Sequence, residues 1–442
     1  MKSNTKHTNR NSNGTGEADF QAFGLDDRLT RAIADLEFET PTPVQIDAIP
    51  PALAGRDVLA CAMTGSGKTA AFVLPILQRI VDEPRGVTRA LVLTPTRELA
   101  AQVAEHLAEL ALHTDVRVAT VFGGVGAAPQ EKALRKGVDV IVATPGRLLD
   151  HFQYDYARLS GLEVLVLDEA DRMLDMGFLP DIRRILRHLP KKKRQTFFFS
   201  ATMPKEIVDL SREILRDPVR ISVERKSTPA TGVLQALYPV SAHRKTDLLA
   251  ELLERGEIGN AIVFCRTKHR ADRLAKKLDR EGFPVGRIHG NRSQGQRTAA
   301  LAAFKEGRTR VLVATDIVAR GIDVEALDHV VNFDVPHTAD DYIHRVGRTA
   351  RAEMTGDAYT LVSPEEEDTV RSIERRVGRA IERRRVDGFD YDAPAPERGR
   401  SKPAARSREK APAGSAPQPG NGAGGFGRPG GGRRGGRGRR RS

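Results

Sequence analysis

The sequence predicts an α/β protein of two tandem domains, each a parallel, doubly wound sheet, with disordered N- and C-terminal tails. Short β-branched apolar runs alternate with helix-length segments along most of the 442 residues. These runs are nearly continuous rather than alternating, as strands covered on both faces must be. The pattern restarts after a stretch rich in turn-forming residues at 223–232, which indicates a linker between two units.

Six apolar runs predict the strands of a first domain over residues 20–222. They lie at 57–61, 89–94, 116–122, 139–144, 164–168 and 196–200. A second domain over 233–385 is predicted from runs at 233–237, 261–265, 285–289, 310–315, 329–333 and 358–362. The run VIVAT at 140–144 resembles VLVAT at 311–315, which indicates that the two domains are related.

Composition excludes several classes of protein. No run approaches the roughly 18 consecutive apolar residues of a membrane helix, and residues 1–10 lack the apolar stretch of a secretory signal. The only two cysteines, Cys61 and Cys265, exclude a disulfide framework and fit a reducing cytosol, so we expect a cytoplasmic protein without membrane attachment. Ligand spacing typical of a zinc module is also missing.

Positive charge is concentrated at the C-terminal end. Of the formal net charge of +13, residues 391–442 carry +10, from 13 Lys and Arg against 3 Asp and Glu. We expect residues 1–19 and the Arg/Gly-rich residues 386–442 to be disordered, because neither segment offers enough apolar surface to fold. Arg-Gly repeats with few aromatic residues favour RNA binding through phosphate charge, and a solubilising tail without a partner is the alternative.

A glycine-rich loop predicts a phosphate site. The segment AMTGSGKT at 62–69 follows an apolar strand and precedes a helical run, the context in which such loops bind phosphate. Gly65 and Gly67 let backbone N–H groups approach phosphate oxygens. Lys68 can reach the terminal phosphates, and the Thr69 hydroxyl can ligate Mg²⁺. Ala62 replaces the usual first glycine, so this segment alone is also compatible with an ordinary turn.

An acidic motif supplies the second half of a nucleotide site. The strand at 164–167 ends in the sequence DEAD at 168–171, at the edge where parallel sheets bind ligands. Asp168 can hold Mg²⁺, and Glu169 can orient and deprotonate an attacking water. An acidic cluster at a helix N-terminus is the alternative, and the phosphate loop upstream argues against it.

Eleven segments, in order, resemble the motifs of the DEAD-box ATP-dependent RNA helicases across residues 20–385, with the bacterial RhlE-like group most similar. The segments are PTPVQ at 41–45, the loop at 62–69, PTREL at 95–99, GG at 123–124, TPGR at 144–147, DEAD at 168–171, SAT at 200–202, VFCR at 263–266, QGQR at 294–297, ATDIVARGID at 314–323 and HRVGRTAR at 344–351. The resemblance implies two RecA-like domains, the first binding ATP and the second a helicase C-terminal domain. It further implies RNA-stimulated ATP hydrolysis, with ATP and Mg²⁺, coupled to non-processive unwinding of short RNA duplexes or to ribonucleoprotein remodelling. Glu37 departs from the family, in which a glycine usually precedes the aromatic residue at 38.

The resemblance also implies roles at the ATP site. Gln45 would read the adenine edge, with Phe20 and Phe38 packing against or near the base. Arg348 and Arg351 would reach the terminal phosphate as arginine fingers, whereas basic residues at three-residue steps are otherwise typical of a solvated helix face. The other implied residues are Thr64, Gly65, Ser66, Gly67, Lys68 and Thr69 in the loop, Asp323 at the ribose, His344 beside the attacking water, and Asp171, Ser200 and Thr202, which couple the carboxylates to domain closure.

Two segments of the form Thr-Pro-X-Arg, at 94–97 and 144–147, predict a phosphate-binding surface. Proline suits the first position of a helix and helix N-termini bind anions, although ordinary helix starts are the alternative. By resemblance, RNA contacts fall on Pro95, Thr96, Arg97, Gly123, Gly124, Thr144, Pro145, Gly146, Arg147, Arg266, Gln294, Arg297, Thr315, Asp316, Arg320 and Gly321. We expect ribosomal or RNA-decay ribonucleoprotein partners and no DNA. An ATP-gated RNA clamp or annealing chaperone and a DNA translocase are the alternative functions.

Overall fold

The computed structural model describes residues 19–63, 65–190, 194–222, 233–316, 327–349 and 356–394. The predicted linker and most of both predicted tails lie outside the described residues. Of the helices that are described, none combines the length and the apolar character needed to cross a bilayer.

The first domain alternates helices and strands in the predicted order. Its elements are α1 (Asp27–Asp35), α2 (Pro43–Leu53), β1 (Val58–Cys61), α3 (Lys68–Ile80), β2 (Ala90–Leu93), α4 (Arg97–Leu110), β3 (Val118–Val121), α5 (Ala127–Lys136), β4 (Val140–Ala143), α6 (Pro145–His151), β5 (Val164–Leu167), α7 (Ala170–Asp175), α8 (Leu179–His188), β6 (Gln195–Ser200), α9 (Lys205–Ile214) and β7 (Val219–Ser222). In the described residues the strands form one sheet in the order β3-β4-β2-β5-β6-β1-β7, and all neighbours are parallel.

The second domain repeats this topology. Its elements are β8 (Val233–Pro239), α10 (Lys245–Glu254), β9 (Ala261–Cys265), α11 (Lys268–Arg280), β10 (Val285–Ile288), α12 (Gln294–Lys305), β11 (Val311–Thr315), β12 (His329–Asn332), α13 (Ala339–Val346), β13 (Gly356–Val362), α14 (Glu367–Val377) and β14 (Glu382–Arg383). The parallel order β10-β11-β9-β12-β13-β8-β14 matches that of the first sheet strand for strand. The two predicted parallel, doubly wound sheets are therefore confirmed.

Both faces of the central strands are covered. In β2, Val92 belongs to the apolar cluster on one face and Leu91 to the cluster on the other, and all four residues of the strand are buried. Burying each such side chain stabilises the fold by about 1.5–3 kcal/mol, which explains the continuous apolar runs. Two edge strands were not predicted, because β7 buries only Ile221 and β14 exposes both of its residues.

The packed part of the second domain continues beyond the predicted boundary at residue 385. Val386 is buried in the same apolar cluster as α10, and its backbone N–H donates to the Tyr391 hydroxyl at 2.8 Å. Arg244 Nη2 donates to Asp390 O at 3.0 Å. Residues 386–394, which are predicted to belong to the tail, thus pack on this domain.

Candidate active site

The phosphate loop connects β1 to α3. Gly65 and Gly67 have φ values of 81° and 88°, which favour glycine. A Cβ atom on Gly67 would lie 2.7 Å from Gln45 Nε2, so a side chain has no room there. Lys68 is the first residue of α3 and is 6% exposed, and its Nζ donates to Ala62 O at 3.2 Å. The loop therefore has the glycine turn and the inward lysine of a phosphate cradle.

Gln45 connects α2 to this loop. Its Oε1 accepts from Thr42 N at 2.8 Å, as part of a capping box at the start of α2. Its Nε2 donates to Gly67 O at 3.1 Å. The predicted adenine reader thus lies against the backbone of the phosphate loop.

A cleft of ≈ 250 Å³ runs from Phe38 to the acidic motif. Phe38 lies at its mouth, 39% exposed, and Phe20 is buried behind it with ring centroids 6.4 Å apart. From the predicted site the lining includes Phe38, Gln45, Gly65, Gly67, Lys68, Thr69, Asp168 and Glu169. Ser66 instead donates from its hydroxyl to Met63 O at 2.7 Å.

Helix α4 also lines the cleft, a contribution that the sequence motifs do not predict. Its lining residues are Leu99, Gln102, Val103, His106, Glu109 and Leu110. They recur at steps of three and four residues, which is the spacing of one helical face. That periodicity indicates a buried face of α4, but it does not indicate that this face lines the cleft.

Two buried carboxylates follow β5. Asp168 and Glu169 are each 3% exposed. Burial raises the pKa of Asp168 to about 6, against the opposing charge of Lys68. Asp168 Oδ1 is buried and accepts no hydrogen bond from the described residues, so it is an acceptor suited to a cation. Glu169 Oε2 accepts from Arg172 Nη1 at 2.6 Å.

The three predicted coupling residues form one hydrogen-bonded group. Asp171 Oδ2 accepts from Thr202 N at 2.7 Å and from Thr202 Oγ1 at 2.8 Å. Asp171 N donates to Ser200 Oγ at 3.2 Å, and Ser200 Oγ donates to Thr202 O at 2.7 Å. The end of β6 is thereby attached to the acidic motif that follows β5.

Arg97 packs over the predicted glycine pair. A Cβ atom on Gly124, which has φ of 81°, would overlap Arg97 Nη1, and one on Gly123 would lie 3.1 Å from Arg97 Nη2. The two glycines therefore make room for the guanidinium, and all three predicted RNA contacts lie together.

The two Thr-Pro segments start their helices differently. Pro145 is the first residue of α6, with Thr144 as its N-cap, as predicted. In the other segment Thr96 is the N-cap of α4, because its hydroxyl accepts from Leu99 N at 3.2 Å. The prediction of a helix beginning at Pro95 is therefore wrong, since the better cap lies one residue later. The side chain of Arg147, in the first turn of α6, is partly exposed.

Two residues of the second domain that are predicted to contact RNA pair with the first domain. Gln294 Nε2 donates to Glu98 Oε1 at 3.0 Å, and Arg297 Nη2 lies 2.6 Å from the same oxygen. The three residues are between 6% and 7% exposed. Burial lowers the pKa of Arg297, and the Glu98 charge opposes this shift. Glu98, on α4, thus attaches α12 to the first domain.

Other predicted residues at the edge of the second sheet also have charged partners. Arg266 Nη2 donates to Glu366 Oε1 at 3.0 Å. Asp316 accepts from Arg345 Nε at 2.6 Å and from Arg345 Nη2 at 2.7 Å. Thr315 ends β11 and is buried.

The described arginines of the last motif, Arg345 and Arg348, do not form the solvated helix face that was the alternative to arginine fingers. Helix α13 ends at Val346 with Gly347 as its C-cap, so Arg345 lies within the helix and Arg348 lies beyond its end. Both arginines are buried, at 3% and 4% exposed. His344 lies in the last turn of α13. The predicted residues outside the described part of the chain are Thr64, Arg320, Gly321, Asp323 and Arg351.

Comparison with known proteins gives concordant matches over both domains. The DEAD/DEAH box helicase family model matches residues 42–210, and the helicase conserved C-terminal domain model matches residues 244–353. The DEAD-box ATP-dependent RNA helicase CshA of Bacillus licheniformis is 43% identical over 371 residues, which are 84% of this chain and 76% of that protein. The RNA helicase CrhR of Synechocystis is 45% identical over 364 residues, or 82% and 73% of the two chains.

Solved structures match the same region. S. cerevisiae Dbp5 bound to RNA and ADP BeF3 is similar with a TM-score of 0.75 at 32% identity, over 83% of this chain and 95% of that one. The DEAD-box helicase Mss116 bound to ssRNA and UDP-BeF is similar with a TM-score of 0.76 at 28% identity, over 84% and 80% of the chains.

Proposed function

The chain belongs to the DEAD-box ATP-dependent RNA helicases, and on that premise we propose which residues couple ATP hydrolysis to local separation of RNA duplexes. As a member of this family the protein is an RNA-stimulated ATPase. One observation carries the assignment of residues: a single cleft joins Gln45, Lys68 and Glu169, which come from distant parts of the chain. We assign adenine to the Phe38 end of this cleft and the terminal phosphate to the Lys68 end. The RhlE-like grouping stays a prediction.

Asp168 and Thr69 are the residues that would hold Mg²⁺. The buried Oδ1 of Asp168 accepts no hydrogen bond from the described residues, and Thr69 lines the same cleft. Proteins usually bind Mg²⁺ through one or two carboxylates together with substrate phosphates, so this donor set fits the ion. When bound, the ion would neutralise charge on the transferred phosphoryl group.

Hydrolysis depends on side chains from both domains. Lys68 exchanges its backbone hydrogen bond within the loop for the terminal phosphates. Glu169 orients the attacking water and accepts its proton, with His344 in support. Arg348 and Arg351 stabilise charge on the terminal phosphate, and such arginines contribute about 10³–10⁵ in rate.

RNA binding is proposed at the carboxyl-terminal edges of the two sheets. Arg97 and Arg147 each lie in the first turn of a helix, where the backbone also favours phosphate. We assign Gln294 and Arg297 to holding the domains together through Glu98, because their polar groups already meet that carboxylate. Contacts to phosphate carry little sequence information, so base preference is expected to be weak.

The remaining expectations are proposals of the same kind. Residues 20–222 would form the ATP-binding domain and residues 233–394 the helicase C-terminal domain, since residues 386–394 pack on it. The basic segment at 395–442 would add RNA affinity through phosphate charge, so deleting 395–442 should flatten the salt dependence of RNA binding. We propose RNA rather than DNA as the substrate, ribosomal or RNA-decay ribonucleoproteins as partners, and a cytoplasmic location.

Glu169→Gln tests the assignment of the water-orienting base. It should leave ATP and RNA binding intact and lower the turnover number by about 10²–10⁴, the usual contribution of a general base. The assays are RNA-stimulated phosphate release, equilibrium ATP binding, and strand displacement of a short RNA duplex with and without ATP. Glu206→Gln, at an exposed carboxylate on α9, is the matched control.

Three results would contradict the proposal. Near-normal hydrolysis by Glu169→Gln would remove this residue as the base. ATP-dependent RNA binding without strand displacement by the unaltered protein would favour an RNA clamp. Equal stimulation of the ATPase by DNA of the same sequence would favour a DNA translocase.

A further inference from the structure

Glu169 has a backbone conformation that residues other than glycine rarely adopt. Its φ is 52°, in the left-handed region, and the residue is 3% exposed. Such conformations persist where the surrounding structure imposes them. The contacts of the Glu169 side chain therefore help to determine the orientation of its carboxylate.

Arg172 makes a close contact with that carboxylate. It lies three residues later in α7, and its Nη1 donates to Glu169 Oε2 at 2.6 Å, with 4% of each side chain exposed. The backbone N–H of Arg172 donates to Asp171 Oδ1 at 3.1 Å. One residue thus touches both the proposed base and the coupling carboxylate. A short, buried, charge-assisted hydrogen bond restricts the carboxylate to few orientations.

The charges around Glu169 and Arg172 also favour Arg172 as the residue that fixes the orientation of the Glu169 carboxylate. Asp168 and Asp171 lie on either side of Glu169 in the sequence; among the described residues, the cations Lys68 and Arg172 act on Asp168, and Arg172 also donates to Glu169. In the proposed reaction Lys68 is drawn to phosphate, whereas Arg172 is already engaged by Glu169. Stability alone is a poor reason for the pair, because apolar side chains often replace buried ion pairs without loss of stability.

We propose that Arg172 is a positioning residue for the hydrolytic step, holding Glu169 in the direction from which it orients water. This inference rests on the proposed function, in which Glu169 is the base. Arg172 acts through Glu169 and is not assigned a contact with the nucleotide. Its loss should therefore lower turnover without changing how tightly ATP or RNA is held.

Arg172→Met, which keeps the length of the side chain and removes the charge, is the first test. We expect kcat of RNA-stimulated ATP hydrolysis to fall at least about tenfold, with KM for ATP and the half-saturating RNA concentration within about twofold of the unaltered protein. Arg172→Lys restores a cation and should recover most of the loss. The control Arg184→Met removes an exposed arginine that also pairs with a carboxylate three residues away, and it should leave kcat unchanged.

A double substitution separates positioning from a merely structural role. In the Glu169→Gln background, Arg172→Met should have no further effect on kcat, because residues that act as one unit are not additive. An unchanged kcat in Arg172→Met, an equal loss in both backgrounds, or a loss accompanied by raised KM and no recovery by lysine would each overturn the inference. If Arg172→Met does not fold, Arg172→Gln takes its place with the same expectations.

These outcomes also distinguish the inference from the proposed function. If Glu169→Gln stalls turnover while Arg172→Met does not, only the role of Arg172 is lost. If Glu169→Gln itself turns over normally, the assignment of the base fails, and the role of Arg172 fails with it.

Discussion

Glu98→Gln should weaken the attachment between the two domains without disturbing either sheet. The substitution keeps the size of the side chain and removes the charge that faces Arg297 at 2.6 Å. Arg297 is 7% exposed, so its guanidinium would be left buried beside a neutral amide. The arrangement in which Glu98 joins the two domains should become less favourable.

The size of the effect follows from the burial and the hydrogen bonding of this group. Removing one partner of a buried ion pair costs about 3–5 kcal/mol. The lower end applies here, because Glu98 Oε2, Gln294 Oε1 and Arg297 Nε already lack hydrogen bonds within the described residues. A loss of about 3 kcal/mol corresponds to roughly a 100-fold change in the equilibrium between joined and separated domains.

The assay is the RNA concentration that gives half-maximal ATPase activity. This concentration should rise about 100-fold for Glu98→Gln, because RNA binds the protein with its two domains joined and the apparent affinity falls with the population of that state. Basal ATP affinity should be unchanged. Glu105→Gln, at an exposed position on the same helix, is the control. A variant with Glu98→Arg and Arg297→Glu together should recover at least tenfold of the loss. An unchanged RNA requirement in Glu98→Gln, or no recovery on exchanging the charges, would refute the reasoning.

Three further substitutions test separate parts of the molecule. Lys68→Ala should weaken equilibrium ATP binding by at least about tenfold, since a charge-assisted contact to phosphate is worth some 1.5–3 kcal/mol, and unchanged affinity would count against the phosphate loop. Glu37→Gly should raise the free energy of unfolding in urea by about 0.5 kcal/mol, because φ of 56° strains a side chain more than the entropy of glycine offsets; a loss of stability would contradict this. Gly124→Ala should displace the Arg97 guanidinium and weaken RNA binding about tenfold at unchanged ATP affinity in the absence of RNA, and normal RNA binding would dissociate Arg97 from the RNA surface.

The central strands could be predicted from the sequence because parallel sheets bury both faces. The runs that became β2 and β5 are apolar throughout, and the structure buries every residue of both. The edge strands β7 and β14 could not be predicted in this way, because β7 buries only Ile221 and β14 exposes both of its residues. The start of α4 was misplaced for a local reason, since two successive residues, Pro95 and Thr96, both carry helix-start signals and the side-chain cap prevailed.

Within the site, adjacent residues were easier to predict than contacts between distant segments. The loop around Lys68 and the carboxylates at 168–169 have diagnostic spacing, and the structure brings them to one cleft. Gln294 and Arg297 were assigned to RNA by resemblance, and the structure places them on a carboxylate 196 residues from Gln294. An arginine in a motif needs an anionic partner, which can be a phosphate or a carboxylate. The sequence alone does not show which carboxylates of the protein lie within its reach.

The hydrogen bond from Gln45 to Gly67 connects the proposed adenine end of the nucleotide cleft to the phosphate loop. If the Gln45 amide turned to suit a different nucleobase, it would release the carbonyl of Gly67, the neighbour of Lys68, which we propose binds the terminal phosphates. A base other than adenine would therefore disturb the phosphate loop around Lys68 as well as the adenine end of the cleft. Selectivity for ATP would then appear in the rate of hydrolysis as well as in the affinity for the nucleotide.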